Sequence, residues 1–274
     1  MKNRLLIWYI SVGVWCACQP ASPPAAYHPV ASVVIQDLPS VIGTTEVTPF
    51  DTVDIRYLTG RFDPATDPLF ARIPDAYTTG SARGGYLRQE ALAAFEQLHA
   101  AALRDGVRLT ILSATRNFDY QRRIWEDKWN GTRLVEGQNL ARALPDPVTR
   151  ARKILRYSAM PATSRHHWGT DFDLNALENS YFTTGEGLKV YTWLRTHAAT
   201  FGFGQPYTAK GPARPEGYEE EKWHWSYLPL AKSYLATYTS QVTYADITGF
   251  AGDEAAPGLD VIQAYVQGID PTCR

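Results

Sequence analysis

Apolar residues recur at two different spacings along the chain, and each spacing predicts one kind of element. From residue 86 onward they recur every three or four positions, which predicts a helix that ends near Gly106, a residue suited to the position just past a helix. The apolar positions of this helix are Leu87, Ala91, Phe95, Leu98 and Ala102. In "VRLTILSA" (107–114) apolar and polar positions alternate instead, which predicts a strand with one buried face.

Further elements follow from the same patterns. Asn117 is a suitable N-cap for a helix over 118–129, and Gly131 lies just past its end. The segments "PDPVTRARKILRYSAM" and "EGLKVYTWLRTHAATFGF" predict two more helices, closed at Pro161 and Gly202. A strand is predicted in "KWHWSYLPL", followed by helical runs in "LAKSYLATYTS" and "GLDVIQAYVQGI". We therefore predict an α+β fold, in which helices flank a small, largely antiparallel sheet.

The predicted elements divide the chain into four parts. Residues 1–18 combine a basic start with an apolar run too short to span a bilayer, which is typical of a secretory signal peptide. Residues 19–70 are rich in Pro, Thr and Ser and contain short β-like runs such as "TVDIRYLTG"; we expect an extension that packs on the core. The main domain would span 71–235, and a C-terminal helical extension would span 236–274.

The position of Cys18 and the net charge of the chain bear on where the protein is located and on what it binds. Cys18 ends the signal-like segment, where a bacterial lipoprotein carries its acylated cysteine, so a lipid anchor there is one option. The expected location is the bacterial cell envelope, either periplasmic or membrane-anchored. A formal net charge of −1 gives no electrostatic reason to expect binding to nucleic acid. We expect a monomer.

Two segments concentrate residues that bind metals. In "SRHHWGTDFDLN" (164–175), His166 or His167 could act together with Asp171 or Asp173, and strand alternation places both aspartates on one face. Taken alone, this segment fits a polar loop before a strand as well as it fits a metal site. The second segment, "EEEKWHWSY" (219–227), adds a further histidine and a loop carboxylate suited to general-base chemistry at a metal-bound water. Three protein ligands and one open position are usual for a catalytic zinc.

The spacing of these residues resembles that of the zinc D-Ala-D-Ala carboxypeptidase family. That family includes vancomycin-resistance D,D-peptidases and L,D-carboxypeptidases, and its fold is related to the Hedgehog signalling domain. The matching positions are Ser164, His166, Gly169, Asp173, Glu221, Trp223 and His224. The resemblance implies one Zn²⁺ bound by His166, Asp173 and His224, with Glu221 as the catalytic base.

Further roles follow from the same resemblance. "SATRNFDYQ" is similar to a family segment whose arginine stabilises the oxyanion, which assigns that role to Arg116 and a substrate contact to Gln121. Ser164 would bind the terminal carboxylate of the substrate, or else serve only to form the turn. Asp171 leaves two interpretations open: a ligand, or an acceptor that fixes the tautomer of a ligand histidine. His167 is expected to be structural or a wall of the groove.

The implied activity is release of C-terminal D-alanine from peptidoglycan stem peptides, at a D-Ala-D-Ala or an L,D bond, by a metallopeptidase domain over 71–235. Two alternatives remain open from the sequence. One is an endopeptidase on the same scaffold that cuts within the stem peptide. The other is a non-catalytic cell-wall-binding module, against which the presence of both Glu221 and Arg116 argues.

Overall fold

The computed structural model describes residues 53–274, which fall in one compact unit. Its α-helices are α1 (Ile55–Leu58), α2 (Gln89–Arg104), α3 (Phe118–Trp129), α4 (Leu140–Ala143), α5 (Pro147–Ile154), α6 (Gly185–His197) and α7 (Leu228–Gln241). Its strands are β1 (Phe70–Arg72), β2 (Tyr86–Arg88), β3 (Ile111–Ser113), β4 (Asp171–Leu174), β5 (Phe203–Gly204) and β6 (His224–Tyr227). The predicted signal peptide and Cys18 lie outside the described residues.

Two antiparallel sheets organise the described part of the chain. Four strands form the larger sheet in the order β3-β4-β6-β5, and β1 pairs with β2 in a separate ribbon. In the centre of the larger sheet Asp173 lies opposite His224, and Asp171 lies opposite Ser226. The predicted α+β class with a small antiparallel sheet is confirmed. No helix among residues 53–274 combines the length and apolar character that crossing a bilayer requires.

Two apolar cores enclose the larger sheet. One core packs α2 and α6 against one sheet face, where Phe172 and Leu174 are fully buried. The other core joins α3, α5 and α7 to the C-terminal residues, with Trp125 at its centre. Burying a side chain such as Phe172 stabilises the fold by about 1.5–3 kcal/mol, so the apolar residues of β4 fix the strand that carries Asp171 and Asp173.

Helix boundaries follow the caps that the sequence supplies. The Asn117 carboxamide accepts a hydrogen bond from the Tyr120 N–H (2.9 Å), and α3 spans the predicted residues, Phe118–Trp129. At α5, Asp146 caps the first turn and Pro147 occupies the first helical position. Such a side-chain cap stabilises a helix by about 1 kcal/mol.

Several predicted elements differ in the structure. Within "TVDIRYLTG", Ile55–Leu58 form the short helix α1, because the Asp54 carboxylate accepts a hydrogen bond from Tyr57 N–H (2.7 Å) and caps the first turn. The strand predicted over 107–114 is restricted to β3, which pairs irregularly with β4. The predicted third helix ends at Ile154, well before Pro161. The tail run "GLDVIQAYVQGI" forms short turns and one π-helical segment, Ile262–Val266, and not a regular helix.

Both regions that flank the predicted main domain pack into the same cores. The Tyr57 hydroxyl donates a hydrogen bond to the Trp168 carbonyl (2.8 Å), which fastens α1 beneath the segment that contains His166. In the C-terminal region, Ile247, Val261 and Ile269 are fully or almost fully buried in the core around Trp125. The domain boundaries themselves stay predictions.

Candidate metal centre and catalytic site

Three buried side chains converge at the edge of the central strands. Ligand atoms of His166, Asp173 and His224 all lie within 4.8 Å of one another. Asp173 and His224 are cross-strand partners on β4 and β6, whereas His166 belongs to a 3-10 turn, Arg165–Trp168. Gly169 ends that turn at φ +72°, where a Cβ would lie 2.4 Å from the Phe70 ring. The three residues that the resemblance implies as ligands are thus brought together by separate elements.

The hydrogen bonding of His166 leaves one ring nitrogen available as a ligand. Its Nδ1 lies 2.8 Å from the Ala114 carbonyl oxygen, which can only accept, so Nδ1 carries the proton and donates. The unprotonated Nε2 is buried without a hydrogen-bond partner among the described residues and lies 3.5 Å from Asp173 Oδ1. Histidines that bind metals commonly use one ring nitrogen as the ligand and donate a hydrogen bond from the other to a carbonyl. His166 has this arrangement.

His224 is held between two carboxylates. Its Nε2 lies 2.9 Å from Asp171 Oδ1 and its Nδ1 lies 3.1 Å from Asp173 Oδ1. Burial opposes protonation of the imidazole, but these two carboxylates outweigh it and raise the pKa of His224 to about 9. The negative field that stabilises an imidazolium here would also favour a divalent cation. With Asp171 accepting from Nε2–H, Nδ1 is left as the ligand atom.

Asp171 has its hydrogen-bonding capacity filled by the protein. Its Oδ1 accepts from Arg165 Nε (3.0 Å) as well as from His224, and its Oδ2 accepts from the hydroxyls of Thr170 (2.5 Å) and Ser226 (3.0 Å). Two bonds to each oxygen leave no lone pair for a metal. The geometry therefore supports Asp173 as the ligand and Asp171 as the acceptor that fixes the His224 tautomer.

Arg165 is a functional residue that sequence reasoning missed. Its guanidinium is fully buried, pairs with Asp171, and donates a second hydrogen bond to Ser226 Oγ (2.6 Å). The pair compensates the buried charge of Asp171, which would otherwise be costly. No spacing pattern in the sequence distinguishes this arginine from one exposed on a turn.

Glu221 lies beside the three candidate ligands in the loop that leads into β6. Its Oε2 is 3.7 Å from His224 Nδ1, and its backbone is fixed by hydrogen bonds to Tyr207 (2.9 Å) and from Gln205 (3.1 Å). Burial raises the pKa of the Glu221 carboxyl to about 8, against the charges of His224 and Arg116. A carboxylate held at this position beside the candidate ligands is suited to take and return a proton.

Arg116 follows β3 and is fixed to the turn that contains His166. Its backbone N–H donates to the His166 carbonyl (3.1 Å), and its carbonyl accepts from His167 Nδ1 (2.6 Å). The other nitrogen of His167 accepts from the Ala162 N–H (3.1 Å), which fits the structural role expected of this histidine. Arg116 Nε is buried without a hydrogen-bond partner among residues 53–274, so its guanidinium is available to a ligand.

A cavity of about 640 Å³ opens onto these side chains. Asp173, Glu221 and Arg116 contribute to its lining, together with Lys128, Tyr157 and Trp223. Ser164 and Gln121 are buried outside this lining: Ser164 precedes the 3-10 turn, and the Gln121 amide donates to the Ala159 carbonyl (2.8 Å). Their assignment as substrate contacts stays a prediction.

Comparison with known proteins agrees with this geometry. The family model "VanY: D-alanyl-D-alanine carboxypeptidase" matches residues 84–230, more than half of the chain. A comparison with curated proteins gave no match. Among solved structures, the L,D-carboxypeptidase LdcB is 21% identical over 72% of this chain and 80% of its own, with a TM-score of 0.46.

Two further solved structures are similar at the same level. VanYB in complex with D-Alanine-D-Alanine is 26% identical over 62% of this chain and 88% of its own, with a TM-score of 0.41. DacB from Streptococcus pneumoniae D39 is 25% identical over 65% of this chain and 82% of its own, with a TM-score of 0.38. On the family match, which spans both candidate ligand segments, the chain belongs to the VanY family of D-alanyl-D-alanine carboxypeptidases.

Proposed function

We propose that this protein is a zinc-dependent carboxypeptidase that releases C-terminal D-alanine from peptidoglycan stem peptides. The observation that supports it most is the convergence of His166, Asp173 and His224 beside Glu221 at one cavity, in a chain of the VanY family. Two imidazoles and one carboxylate are a ligand set that zinc accepts, and three protein ligands leave a position open.

The metal and the protein side chains would contribute different parts of the hydrolysis. Zinc held by His166, Asp173 and His224 supplies Lewis acidity, which polarises a carbonyl and lowers the pKa of water to about 7. Glu221 accepts the proton of the attacking water and returns it to the leaving amine. Arg116 donates hydrogen bonds to the oxygen on which negative charge develops, since its guanidinium stays charged throughout.

The buried position of Glu221 suits this exchange of protons. Without a metal ion, burial raises the pKa of the Glu221 carboxyl to about 8, and a Zn²⁺ ion at the neighbouring ligands would lower it, which favours the carboxylate form that takes a proton from water. The Glu221 backbone accepts a hydrogen bond from the Gln205 side chain and donates one to the Tyr207 carbonyl, and these two bonds fix the residue beside His224. These contacts support the role of Glu221 as base and then acid.

The proposal is tested by product analysis on purified protein loaded with zinc. We expect release of free D-alanine from peptides that end in D-Ala-D-Ala or in L-Lys-D-Ala, detected by mass spectrometry. Larger peptide fragments in place of D-alanine would favour an endopeptidase, and binding to peptidoglycan without hydrolysis would favour a binding module.

A variant of Glu221 separates catalysis from metal binding. Glu221→Gln should keep one zinc per chain and lose at least about 100-fold in turnover, because general acid–base catalysis contributes about 10²–10⁴-fold. Glu220→Gln is the matched control, since this neighbour is not part of the cavity lining. Turnover by Glu221→Gln at the wild-type rate would remove this residue from the mechanism.

The substrate class also supports a location. Stem peptides are found in the cell envelope, so we propose that the protein acts there. Whether it is periplasmic or anchored through Cys18 stays a prediction, and fractionation of cells that express the protein with Cys18→Ala tests the anchor.

A further inference from the structure

Lys128 is a half-buried cation in the catalytic cavity that the mechanism above does not use. It lies on α3, where Tyr120, Ile124 and Lys128 follow each other at four-residue spacing and all contribute to the cavity lining. Residues four apart lie on one helix face, so this arrangement places the ammonium group on the wall of the cavity that Glu221 and Arg116 share.

The ammonium of Lys128 has few protein partners. Among residues 53–274 it hydrogen-bonds only to the Ser158 hydroxyl and has no carboxylate within salt-bridge distance. Lysine has three N–H donors, so two remain available to a ligand. Because Lys128 donates to Ser158 Oγ, the Ser158 hydroxyl is free to donate in turn. Ser158 also contributes to the cavity lining and is 7% exposed.

The electrostatic surroundings of Lys128 favour an anion. Burial, reinforced by the positive charges of Arg133 and Arg116, lowers the pKa of Lys128 to about 8, and Glu221 only partly offsets this. A bound anion would stabilise the charged form of the ammonium. Lys128 lines the same cavity as Glu221 and Arg116, so an anion bound at this lysine would share that cavity with the reacting bond.

A carboxypeptidase substrate presents one anion next to its reacting bond. Its free terminal carboxylate is separated from the scissile carbonyl by a single residue, whatever the sequence further upstream. Arg116 is assigned to the oxygen of the tetrahedral state, and Ser164 lies outside the cavity lining. Resting on the function proposed above, we propose that Lys128, with Ser158, binds the terminal carboxylate of the substrate and restricts the enzyme to cleaving the last peptide bond.

A pair of substrates tests this role directly. One is a diacylated L-Lys-D-Ala-D-Ala tripeptide with a free carboxylate, and the other is the same peptide with a C-terminal amide. For the wild type we expect kcat/KM for the acid to exceed that for the amide by about 10- to 100-fold, the range of one charge-assisted contact. Lys128→Met should remove most of this preference by raising KM for the acid, with little change for the amide.

Conservative and control variants complete the design. Lys128→Arg should keep the preference for the acid. Ser158→Ala should lower this preference by a smaller factor than Lys128→Met does. If the Lys128→Met protein fails to fold, the Ser158→Ala protein still tests the proposal. Lys232→Met, on the exposed part of α7, makes the same substitution far from the cavity and should leave both substrates unchanged. Zinc content and melting temperature are measured for every variant.

The outcomes separate this inference from the proposed function. A wild type that cleaves the last peptide bond of neither peptide, releasing no D-alanine from the acid and no D-alaninamide from the amide, contradicts the carboxypeptidase function itself. A wild type that cleaves the acid, together with Lys128→Met and Ser158→Ala proteins that keep the full preference for it, overturns the role of Lys128 alone. Equal losses on acid and amide in Lys128→Met would also overturn it, since they would show an effect on the reacting groups and not on the carboxylate.

Discussion

At the scale of single residues, we expect Asp171 to determine which nitrogen of His224 binds a metal. Its Oδ1 accepts from His224 Nε2, and it is in turn held by Arg165, Thr170 and Ser226. Without that acceptor the imidazole could adopt the other tautomer and rotate. We expect Asp171→Asn to weaken zinc binding by about 10- to 100-fold, as measured by competition with a chelator of known affinity.

Ser226→Ala is the matched control for Asp171. It removes the hydrogen bond to Oδ2 of the same carboxylate and the one that Ser226 accepts from Arg165, but leaves the Oδ1 contact with His224 in place. Its zinc affinity should stay within a few-fold of the wild type. Equal losses in the two variants would show that the whole buried network matters and that the bond to His224 has no special role.

Gly60 is a second residue whose position sets the geometry of the site. It has φ +75°, and a Cβ there would lie 2.3 Å from Nδ1 of His167, the atom that donates to the Arg116 carbonyl. Gly60→Ala should displace the imidazole and, with it, Arg116. We expect a loss of about 1–3 kcal/mol in stability and a fall in kcat, measured by urea unfolding and by D-alanine release.

Gly84 provides the control for the backbone effect. It has φ +73°, but a Cβ there would meet nothing within 4 Å. Gly84→Ala should therefore show the cost of the left-handed backbone without the effect on kcat. A Gly60→Ala protein with unchanged kcat would mean that Arg116 does not depend on His167 for its position.

At the scale of elements, the sequence predicts those whose signal is local. The boundaries of α3 follow from Asn117 and from the spacing of Phe118, Gln121 and Trp125 within one helix. In β4 the alternation correctly separates the buried Phe172 and Leu174 from the two aspartates that contact His224. Both signals arise within a dozen residues, where spacing alone decides which face a side chain occupies.

Elements that depend on distant partners could not be predicted. The C-terminal segment has helical spacing, but Gly217 packs so closely against Gly268 that a Cβ at Gly217 would lie 2.3 Å from the Gly268 carbonyl oxygen. The tertiary contact therefore dominates over helical propensity there. Likewise, the pairing of Arg165 with Asp171 and the place of Lys128 in the cavity depend on which elements the fold brings together, not on spacing.

The packing of α3 against the C-terminal segment gives a prediction at this scale. The Trp125 ring is fully buried, and its Nε1–H donates to the Ala251 carbonyl (2.8 Å). Trp125→Ala should destabilise the protein by about 3–5 kcal/mol, because it leaves a cavity and an unpaired carbonyl. Arg123→Ala, on the exposed face of the same helix, should change stability by less than about 0.5 kcal/mol. Urea unfolding measures both, and equal midpoints would contradict the prediction.

At the scale of the whole molecule, we expect the two apolar cores to keep the protein folded without the metal. Neither core includes His166, Asp173 or His224, and β4 and β6 are paired along their length by backbone hydrogen bonds. We expect removal of zinc by a chelator to abolish D-alanine release while the far-ultraviolet circular dichroism stays that of the folded protein. Collapse of the secondary-structure signal would show that the metal is required for folding.

The same experiment measures how strongly the metal stabilises the molecule. A ligand present at a thousand times its dissociation constant adds about 4 kcal/mol to the stability, which for a protein of this size raises the melting temperature by about 10 °C. Adding zinc back should restore both the activity and this increment. His166→Ala is the control, because it removes one candidate ligand and leaves Asp171 bound to His224. Its melting temperature should not respond to zinc, and a response as large as that of the wild type would place the metal elsewhere in the molecule.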